Sequence, residues 1–325
     1  MGLAAGSFVG GLVLLLVGGR LLVAGSVDTA RRLGVSPLVV GLTLVAWGTS
    51  APELALNLIS AIKGRGDLAL GNVVGANICN LALVVGACAL IRPLRVQERL
   101  IRVEIRLGAA MLAFLAVLGL TDGIQRWEPA AMLFVFGLYS AWTVMAALRK
   151  TDRIGEEAAG EILGEDPTHT GPPMSWFLIC AAFLGGLALL GFGGGLASDG
   201  ASQIAIGLGA PPAIVGVTVV AMGTTLPELV TGVLAVRRGQ TDLALGNAIG
   251  SCLFNAGAVF GASALIAPPT IDGALTLPLA YMALLAIALV PISLTFGRTV
   301  SRIEGGMLLA SYAAFLAFSA WTALG

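Results

Sequence analysis

Residues 48–53 read GTSAPE, and residues 223–228 read GTTLPE, which is the same pattern 175 positions later. Each copy places a carboxylate, two hydroxyls and a proline inside a long apolar segment. A lipid environment accepts such groups only where they are paired, buried in protein or functional. Glu53 and Glu228 are therefore the first candidate functional residues, and the apolar segments around them decide the fold class.

The composition indicates a membrane protein with several spans. Of 325 residues, 57% are hydrophobic and only 11% are charged, which is too apolar for a soluble domain of this size. The expected surroundings are therefore the lipid bilayer. The formal net charge of zero excludes the basic surface that nucleic-acid binding requires, and nothing in the sequence implies a protein partner.

Ten apolar runs have about the length that a bilayer requires, which predicts an all-α membrane protein with ten transmembrane helices. We expect helices 2, 3, 7 and 8 to be broken around a central ion site. The predicted spans are 5–26, 37–62, 68–91, 101–120, 129–149, 175–198, 211–236, 243–266, 274–295 and 304–324.

The two halves of the chain are repeats. Aligning 37–93 with 212–268 without a gap gives 27 identities in 57 positions. Because each half has an odd number of predicted spans, the second half enters the membrane from the opposite side, giving two inverted five-helix repeats. The predicted organisation is a first repeat over 1–149, a polar inner-side linker over 150–173 and a second repeat over 174–325.

The basic residues predict the orientation. With the N-terminus outside, fourteen Lys and Arg residues fall in inner loops and three in outer loops. This bias follows the positive-inside rule and predicts that both termini lie outside. The expected location is the plasma membrane, which is the inner membrane of a prokaryote.

The repeated motifs predict an oxygen-rich cation site. Pro52 and Pro227 lack an N–H group and crowd the carbonyl four residues earlier, so each helix should kink there and free backbone oxygens. Hydroxyls and carboxylates beside them form a set that suits hard cations. We expect Glu53 and Glu228 to be the only acidic residues well inside the spans. With no basic residue nearby in sequence, cations from solution must neutralise them, which favours obligatory exchange.

The span after each motif carries a polar stripe with four-residue spacing, which places its members on one helix face. An amide-bearing stripe in a membrane helix needs polar partners, and the neighbouring motif supplies them. Asp67 and Asp242 precede these spans, and we interpret them as N-caps, with a role in ion entry as the alternative. The stripe positions are Asn72, Ala76 and Asn80 in the first repeat and Asn247, Ser251 and Asn255 in the second.

Taken together, these motifs resemble the alpha repeats of the calcium/cation antiporter superfamily, especially the sodium/calcium exchanger branch and its prokaryotic relatives. The resemblance implies that Glu53 and Glu228 hold calcium with oxygens from Thr49 and Thr224. It implies that exchange proceeds by sliding of the first and sixth helices, whose glycines allow close packing. It also implies that sodium uses these residues and further oxygens near the centre, with two amides at the margin: Ser50, Thr225, Ser251, the carbonyls near Ala46 and Ala221, and the amides Asn80 and Asn255.

Three departures from the family pattern leave the coupling ion open. Ala76 stands where a hydroxyl matching Ser251 is usual, Asn255 is aspartate in some members, and Thr225 replaces the commoner serine. The predicted function is exchange of Ca²⁺ for Na⁺ by alternating access. The alternatives are exchange of Ca²⁺ or another cation for H⁺, and a cation channel or non-transporting sensor. The sequence supplies no catalytic dyad and no cofactor motif, so we expect neither enzyme activity nor a cofactor.

Overall fold

A computed structural model describes residues 2–119, 123–151, 174–207, 221–270 and 275–324. Over these ranges the chain is almost entirely helical. The elements in chain order are α1 Gly2–Leu33, α2 Pro37–Val40, π1 Gly41–Val45, α3 Ala46–Thr49, α4 Ala51–Ile62, α5 Gly66–Ile78, π2 Cys79–Val84, α6 Val85–Ile91, β1 Leu94–Arg95, π3 Leu100–Ile105, α7 Arg106–Leu118, α8 Trp127–Thr151, α9 Trp176–Gly207, α10 Ala221–Arg237, α11 Thr241–Phe254, π4 Asn255–Val259, α12 Phe260–Ile266, α13 Thr276–Ile292, α14 Thr295–Arg298, β2 Thr299–Val300 and α15 Arg302–Leu324.

Six of these helical stretches are long and apolar enough to cross a membrane. A seventh is obtained if Pro37–Thr49 and Ala51–Ile62, which meet at a bend of 43°, are counted as one span. Residues 152–173 of the predicted linker and 211–220 of the predicted seventh span lie outside the described residues. The six stretches are Gly2–Leu33, Gly66–Ile91, Trp127–Ala147, Trp176–Gly207, Thr241–Ile266 and Arg302–Trp321.

Helices α1 and α9 pack along each other in antiparallel directions at very short range. A Cβ atom built on Gly11 would lie 2.4 Å from the backbone nitrogen of Ala197, and one on Gly18 would lie 2.8 Å from the carbonyl oxygen of Gly186. Such contacts are possible only because glycine lets two backbones approach, as small residues do at membrane helix interfaces. Gly18 and Gly193 therefore lie where α1 and α9 meet, as expected for close packing. Gly19 and Gly194 instead pack against α10, and a Cβ on Gly195 would have no described atom within 4 Å.

The α1–α9 contact predicts the effect of one added methyl group. Gly11→Ala places its Cβ against backbone atoms that cannot move aside, so we expect a loss of about 1–3 kcal/mol of stability, the usual cost of overpacking. The measurement is the thermal unfolding midpoint of the purified protein in detergent.

The neighbouring glycine serves as the control for this prediction. A Cβ on Gly10 meets no atom within 4 Å, so Gly10→Ala should leave the midpoint unchanged or raise it slightly through higher helix propensity. Equal midpoints for the two variants would show that α1 and α9 do not pack as described.

The predicted breaks are only partly correct. The chain bends at Ser50, between α3 and α4. The predicted breaks in the third and eighth helices are wrong, because Gly66–Ile91 and Thr241–Ile266 continue through the π-helical segments π2 and π4. Over the described part of the seventh helix, α10 also continues without interruption through Pro227.

The acidic residues at the start of α5 and α11 bind neighbouring loops instead of capping their helices. Asp67 accepts hydrogen bonds from the backbone N–H and hydroxyl of Thr270 at 3.4 and 3.3 Å, and Asp242 accepts one from Gln97 at 2.6 Å. Both lie in the first helical turn, where a negative charge complements the helix dipole. The N-cap interpretation is therefore wrong.

One end of the molecule joins the two halves through a short antiparallel ladder. Strands β1 and β2 pair with Leu94 opposite Val300. Beside them Glu98 forms ion pairs with Arg102 and Arg298, and these guanidinium groups, Arg102 first, lower the pKa of the Glu98 carboxyl. Because Glu98 is exposed, this network adds little stability. It nevertheless locates many of the basic loop residues at one end of the helices.

Candidate functional site

The first motif lies at the bend between α3 and α4. Ser50 leaves the helical region with φ −89° and ψ 6°, and α4 starts at Ala51 with Pro52 in its first turn. Proline is well tolerated there because its missing N–H would lack an intrahelical partner anyway. The bend therefore lets Glu53 project from the first turn of α4 into the protein interior, where it is 1% exposed.

The second motif lies in α10 and directly contacts the first. The hydroxyl of Ser50 donates a hydrogen bond to Glu228 Oε1 at 2.9 Å, and both side chains are fully buried. Residues 178 positions apart are thus brought together. Thr225 of the same motif is buried, and Thr224 is half-buried. The two halves therefore contribute to one shared site.

The two carboxylates are incompletely satisfied. Glu53 and Glu228 lie within electrostatic reach of each other, and the Oε2 atom of each is buried without a hydrogen-bond partner among the described residues. The four ion pairs formed by the described residues involve neither of them. Because buried polar groups are almost always paired in native proteins, two neighbouring unpaired carboxylate oxygens indicate a site for a cation.

A third buried carboxylate shows the contrast. Glu104 is 0% exposed although it falls near the start of the predicted span 101–120, so burial alone does not distinguish Glu53 and Glu228. Glu104 pairs with Arg99 at 3.4 Å, and the Arg99 guanidinium lies 5.0 Å from the centre of the Trp142 ring. A carboxylate with its own cation is a structural ion pair. The absence of such a partner in the described residues distinguishes Glu53 and Glu228.

The polar stripes on α5 and α11 end at this site. Asn80 and Asn255 are each 1% exposed and lie in or at the start of π2 and π4. π-Helical turns are frequent at functional sites because the extra residue shifts the backbone hydrogen bonds. Several stripe atoms are buried with no hydrogen-bond partner among the described residues: Asn80 Oδ1, Asn255 Oδ1 and Nδ2, Ser251 Oγ and Asn247 Nδ2.

Thr49 connects the first motif to the second stripe. Its hydroxyl lies 3.0 Å from the Val45 carbonyl, 3.2 Å from Asn247 Oδ1 and 3.4 Å from the Ala46 carbonyl, so one hydroxyl hydrogen is shared among three acceptors. Asn247 is fully buried and belongs with the candidate site residues. Its position on the same stripe as Ser251 is the sequence signal that identifies it.

The carbonyl oxygens near Ala46 and Ala221 were expected to be free of helical hydrogen bonds, and for Ala46 this is not what the structure shows. Ala46 is buried, and its carbonyl accepts the Ser50 N–H at 3.0 Å and lies 3.4 Å from the Thr49 hydroxyl, so both of its lone pairs have a neighbouring donor. The described part of α10 begins at Ala221, and residues 208–220 lie outside the described residues. In this conformation the bend at Ser50 therefore opens the helix without freeing the Ala46 carbonyl completely.

Two further amides accompany the site. Asn57 lies one turn after Glu53 and donates to the Glu53 carbonyl at 2.7 Å, and Asn77 donates to the Val73 carbonyl at 2.8 Å. Both are fully buried, and the Oδ1 of each lacks a partner among the described residues. The sequence analysis did not single them out, because neither has a counterpart in the other repeat.

Comparison with known proteins identifies the family. The family model described as "Sodium/calcium exchanger protein" matches residues 3–145 and 178–321. The putative antiporter CaxA of Alkalimonas amylolytica is 37% identical over 308 residues, covering 93% of this chain and 94% of the relative. The inner membrane protein YrbG of Escherichia coli K12 is 32% identical over 283 residues, covering 86% and 83%.

The fold is also similar to a solved structure. A structure of the sodium-calcium exchanger NCX_Mj superimposes with a TM-score of 0.81 and 29% sequence identity, covering 97% of this chain and 98% of the other. The family match includes both motifs and both stripes, and the relatives include membrane proteins and an antiporter. This chain is an integral membrane protein that belongs to the sodium/calcium exchanger family.

Proposed function

We propose that this membrane antiporter exchanges Ca²⁺ for Na⁺ by alternating access, with one calcium ion held between Glu53 and Glu228. The observation that carries the proposal is the pair of buried carboxylates, each with an unpartnered Oε2 among the described residues. A divalent cation bridging them would neutralise both charges at once. Oxygen-only surroundings of this kind suit Ca²⁺, which takes six to eight oxygen ligands.

The proposed ligands follow from the two motifs and the family resemblance. Calcium is bound by Glu53 and Glu228 together with oxygens from Thr49 and Thr224. Asn80 and Asn255 lie at the margin of this site. Sodium uses the same residues and additional oxygens from Ser50, Thr225, Ser251 and the carbonyls near Ala46 and Ala221.

The energetics favour exchange over one-way transport. An ionised side chain at the bilayer centre costs about 2.5–3.5 kcal/mol on insertion scales, so two unneutralised carboxylates cost roughly 5–7 kcal/mol. The protein with an empty site therefore switches slowly between the outward-facing and inward-facing states. A site loaded with cations crosses more easily, so release of one ion must be followed by binding of another.

The proposed architecture is ten transmembrane helices in two inverted repeats, with both termini outside and residues 150–173 as the inner linker. The antiparallel contact of α1 with α9 supports it, because these are the first helices of the two repeats. The 27 identities in 57 aligned positions and the fourteen-to-three distribution of basic residues support it further. The proposed location is the plasma membrane.

The names of two relatives agree with calcium and sodium as substrates. MaX1 of Methanosarcina acetivorans is named a sodium/calcium exchanger and is 42% identical over 106 residues, about a third of this chain. The NCX_Mj structure is described as soaked with Na⁺ and Sr²⁺, and strontium is a divalent cation chemically similar to calcium.

A second candidate function is exchange of Ca²⁺ for H⁺. Ala76, 1% exposed, lies where Ser251 stands in the other half, so one possible sodium ligand is missing. Two protons could also neutralise two carboxylates. The missing hydroxyl at Ala76 supports this second candidate, because Ser251 belongs to the proposed sodium ligands and not to the proposed calcium ligands.

One experiment separates these functions. Purified protein is reconstituted in liposomes, and uptake of radiolabelled calcium is measured with an outward sodium gradient, an outward proton gradient or no gradient. Uptake driven by sodium alone is the expected result, whereas uptake driven by protons alone would replace it with the second candidate. Calcium flux that persists without any counter-ion would indicate a channel.

Ala76→Ser tests the role of the missing hydroxyl. A serine here would restore the match to Ser251 and add one sodium ligand. If that ligand contributes about 1 kcal/mol to sodium binding, the sodium concentration for half-maximal exchange falls roughly fivefold. The measurement is the sodium dependence of calcium uptake in liposomes. Ala69→Ser, on the same helix at a buried position two turns earlier, is the matched control. Equal sodium dependence for both variants would remove position 76 from the sodium site.

A further inference from the structure

A cavity of about 260 Å³ lies directly against both motifs. Pro52, Thr224 and Pro227 form the wall on the site side, and Ser198 and Asp199 of α9 form part of the opposite wall. A built Cβ on Gly223 would lie 2.2 Å from the Ser198 hydroxyl oxygen, so Ser198 packs on the backbone next to Thr224. The cavity therefore connects α9 with a proposed ion ligand.

Asp199 is an exposed carboxylate inside a long helix. It lies eight residues before the end of α9 at Gly207 and five residues after Gly194, which packs against Pro227. Five residues correspond to about 7.5 Å along a helix, less than the roughly 15 Å half-thickness of the hydrocarbon core. In the proposed architecture the paired motifs lie near the bilayer centre, so a charged side chain this close to Pro227 must face water instead of lipid. The cavity provides the space for that water.

Asp199 also lacks a counter-charge. No Lys, Arg or His of the described residues forms an ion pair with its carboxylate. One turn further along α9, Ser202 Oγ is buried without a hydrogen-bond partner among those residues. The negative charge is thus available to cations that enter the cavity.

Apolar side chains pack against the helix backbones at two glycines of the first repeat. Leu187 packs on the backbone of Gly48, and Val230 and Leu234 pack on Gly19. The 175-residue offset places Ala24 of α1 at the position that corresponds to Asp199. The first repeat therefore has no carboxylate at the position equivalent to Asp199.

We propose that Asp199 is an entry residue that attracts cations into the cavity toward Thr224 and the paired carboxylates, and that it acts from one membrane face only. This inference rests on the proposed antiport function. A fixed negative charge in a narrow, low-dielectric cleft raises the local cation concentration and the association rate. By the proposed orientation, the C-terminal end of α9 and this entrance face the outside.

The test compares calcium affinity at the two membrane faces. Initial rates of calcium exchange are measured in right-side-out and everted vesicles from cells that produce the protein. Asp199→Asn is expected to raise the KM for calcium at the outer face roughly three- to tenfold, with the KM at the inner face within about twofold of wild type. Asp199→Glu should restore the outer KM, because it restores the charge.

Two controls keep the result interpretable. Asp67→Asn removes a carboxylate at the same proposed face but outside the cavity, and its KM should equal that of wild type at both faces. Raising ionic strength with choline chloride should raise the outer KM of the wild type more than that of Asp199→Asn, because salt screens exposed charges.

Three results would overturn the proposal: an outer KM unchanged by Asp199→Asn, an equal rise at both faces, or a wild-type outer KM that is independent of choline chloride. The choline chloride measurement uses the wild-type protein only, so it tests the proposal even if Asp199→Asn fails to fold. Wild-type vesicles without any calcium exchange would instead contradict the proposed antiport function.

Discussion

Glu228→Gln is expected to reduce calcium exchange in liposomes at least about 100-fold, because removing one negative ligand lowers the charge that determines calcium affinity. Glu228 is 0% exposed and receives a hydrogen bond from Ser50 at 2.9 Å. Glutamine has nearly the same shape and can still accept that bond. The loss would therefore be due to charge and not to packing.

The partner carboxylate should behave in the same way. Glu53→Gln alone is expected to have the same effect, and the double variant should be little worse than either single one, since residues that act as a unit are not additive. Glu128→Gln is the matched control, because Glu128 is buried and accepts the Gln125 N–H at 2.7 Å, a bond that glutamine keeps. Exchange that survives in the double variant would refute the site.

Asn255→Asp is expected to slow calcium exchange roughly 60- to 300-fold, because it adds a third carboxylate that one calcium ion leaves uncompensated. Asn255 is 1% exposed, and both polar side-chain atoms lack hydrogen-bond partners among the described residues. The extra charge costs about 2.5–3.5 kcal/mol when the loaded site crosses the membrane.

Charge and size are separated at this position by a neutral variant. Asn255→Thr removes the amide without adding charge and should keep a rate within about tenfold of wild type. Calcium uptake in liposomes is measured for both, with and without an added co-ion gradient. If Asn255→Asp took up calcium at the wild-type rate under all gradients, position 255 would be too far from the transported ion to interact with it electrostatically.

The main architecture could be predicted because lipid places simple demands on a sequence. Apolar length predicts the helices, and the described elements α5–α6 and α11–α12 match the predicted spans 68–91 and 243–266 within a few residues. The motifs were recognisable because a carboxylate in such a segment is costly and each occurs twice. The hydrogen bond from Ser50 to Glu228 shows that the two motifs are in direct contact.

The π-helical segments and the position of the bend depend on side-chain packing, which a hydropathy pattern does not predict. The segments π2 and π4 have ordinary apolar sequences, and nothing local distinguishes a π-helical turn from an α-helical one. Pro52 was expected to break its helix four residues earlier, but the bend occurs at Ser50, because proline fits the first turn of the new helix α4.

Two buried or cavity-facing carboxylates were missed for different reasons. Asp199 fell just beyond the predicted span 175–198, whereas α9 continues to Gly207, longer than a bilayer requires. Glu104 falls four residues into a predicted span, and only the fold shows that it is buried beside Arg99. The sequence shows where a charged residue lies along a helix, but it does not show whether that residue is buried or which residue it pairs with.

Equilibrium binding of radiolabelled calcium to the purified, sodium-free protein tests the shared site most directly. The expected result is one calcium ion per chain, displaced by sodium, with binding lost in both Glu53→Gln and Glu228→Gln. Full binding in either single variant, or two independent calcium ions per chain, would contradict a single site formed by one carboxylate from each half.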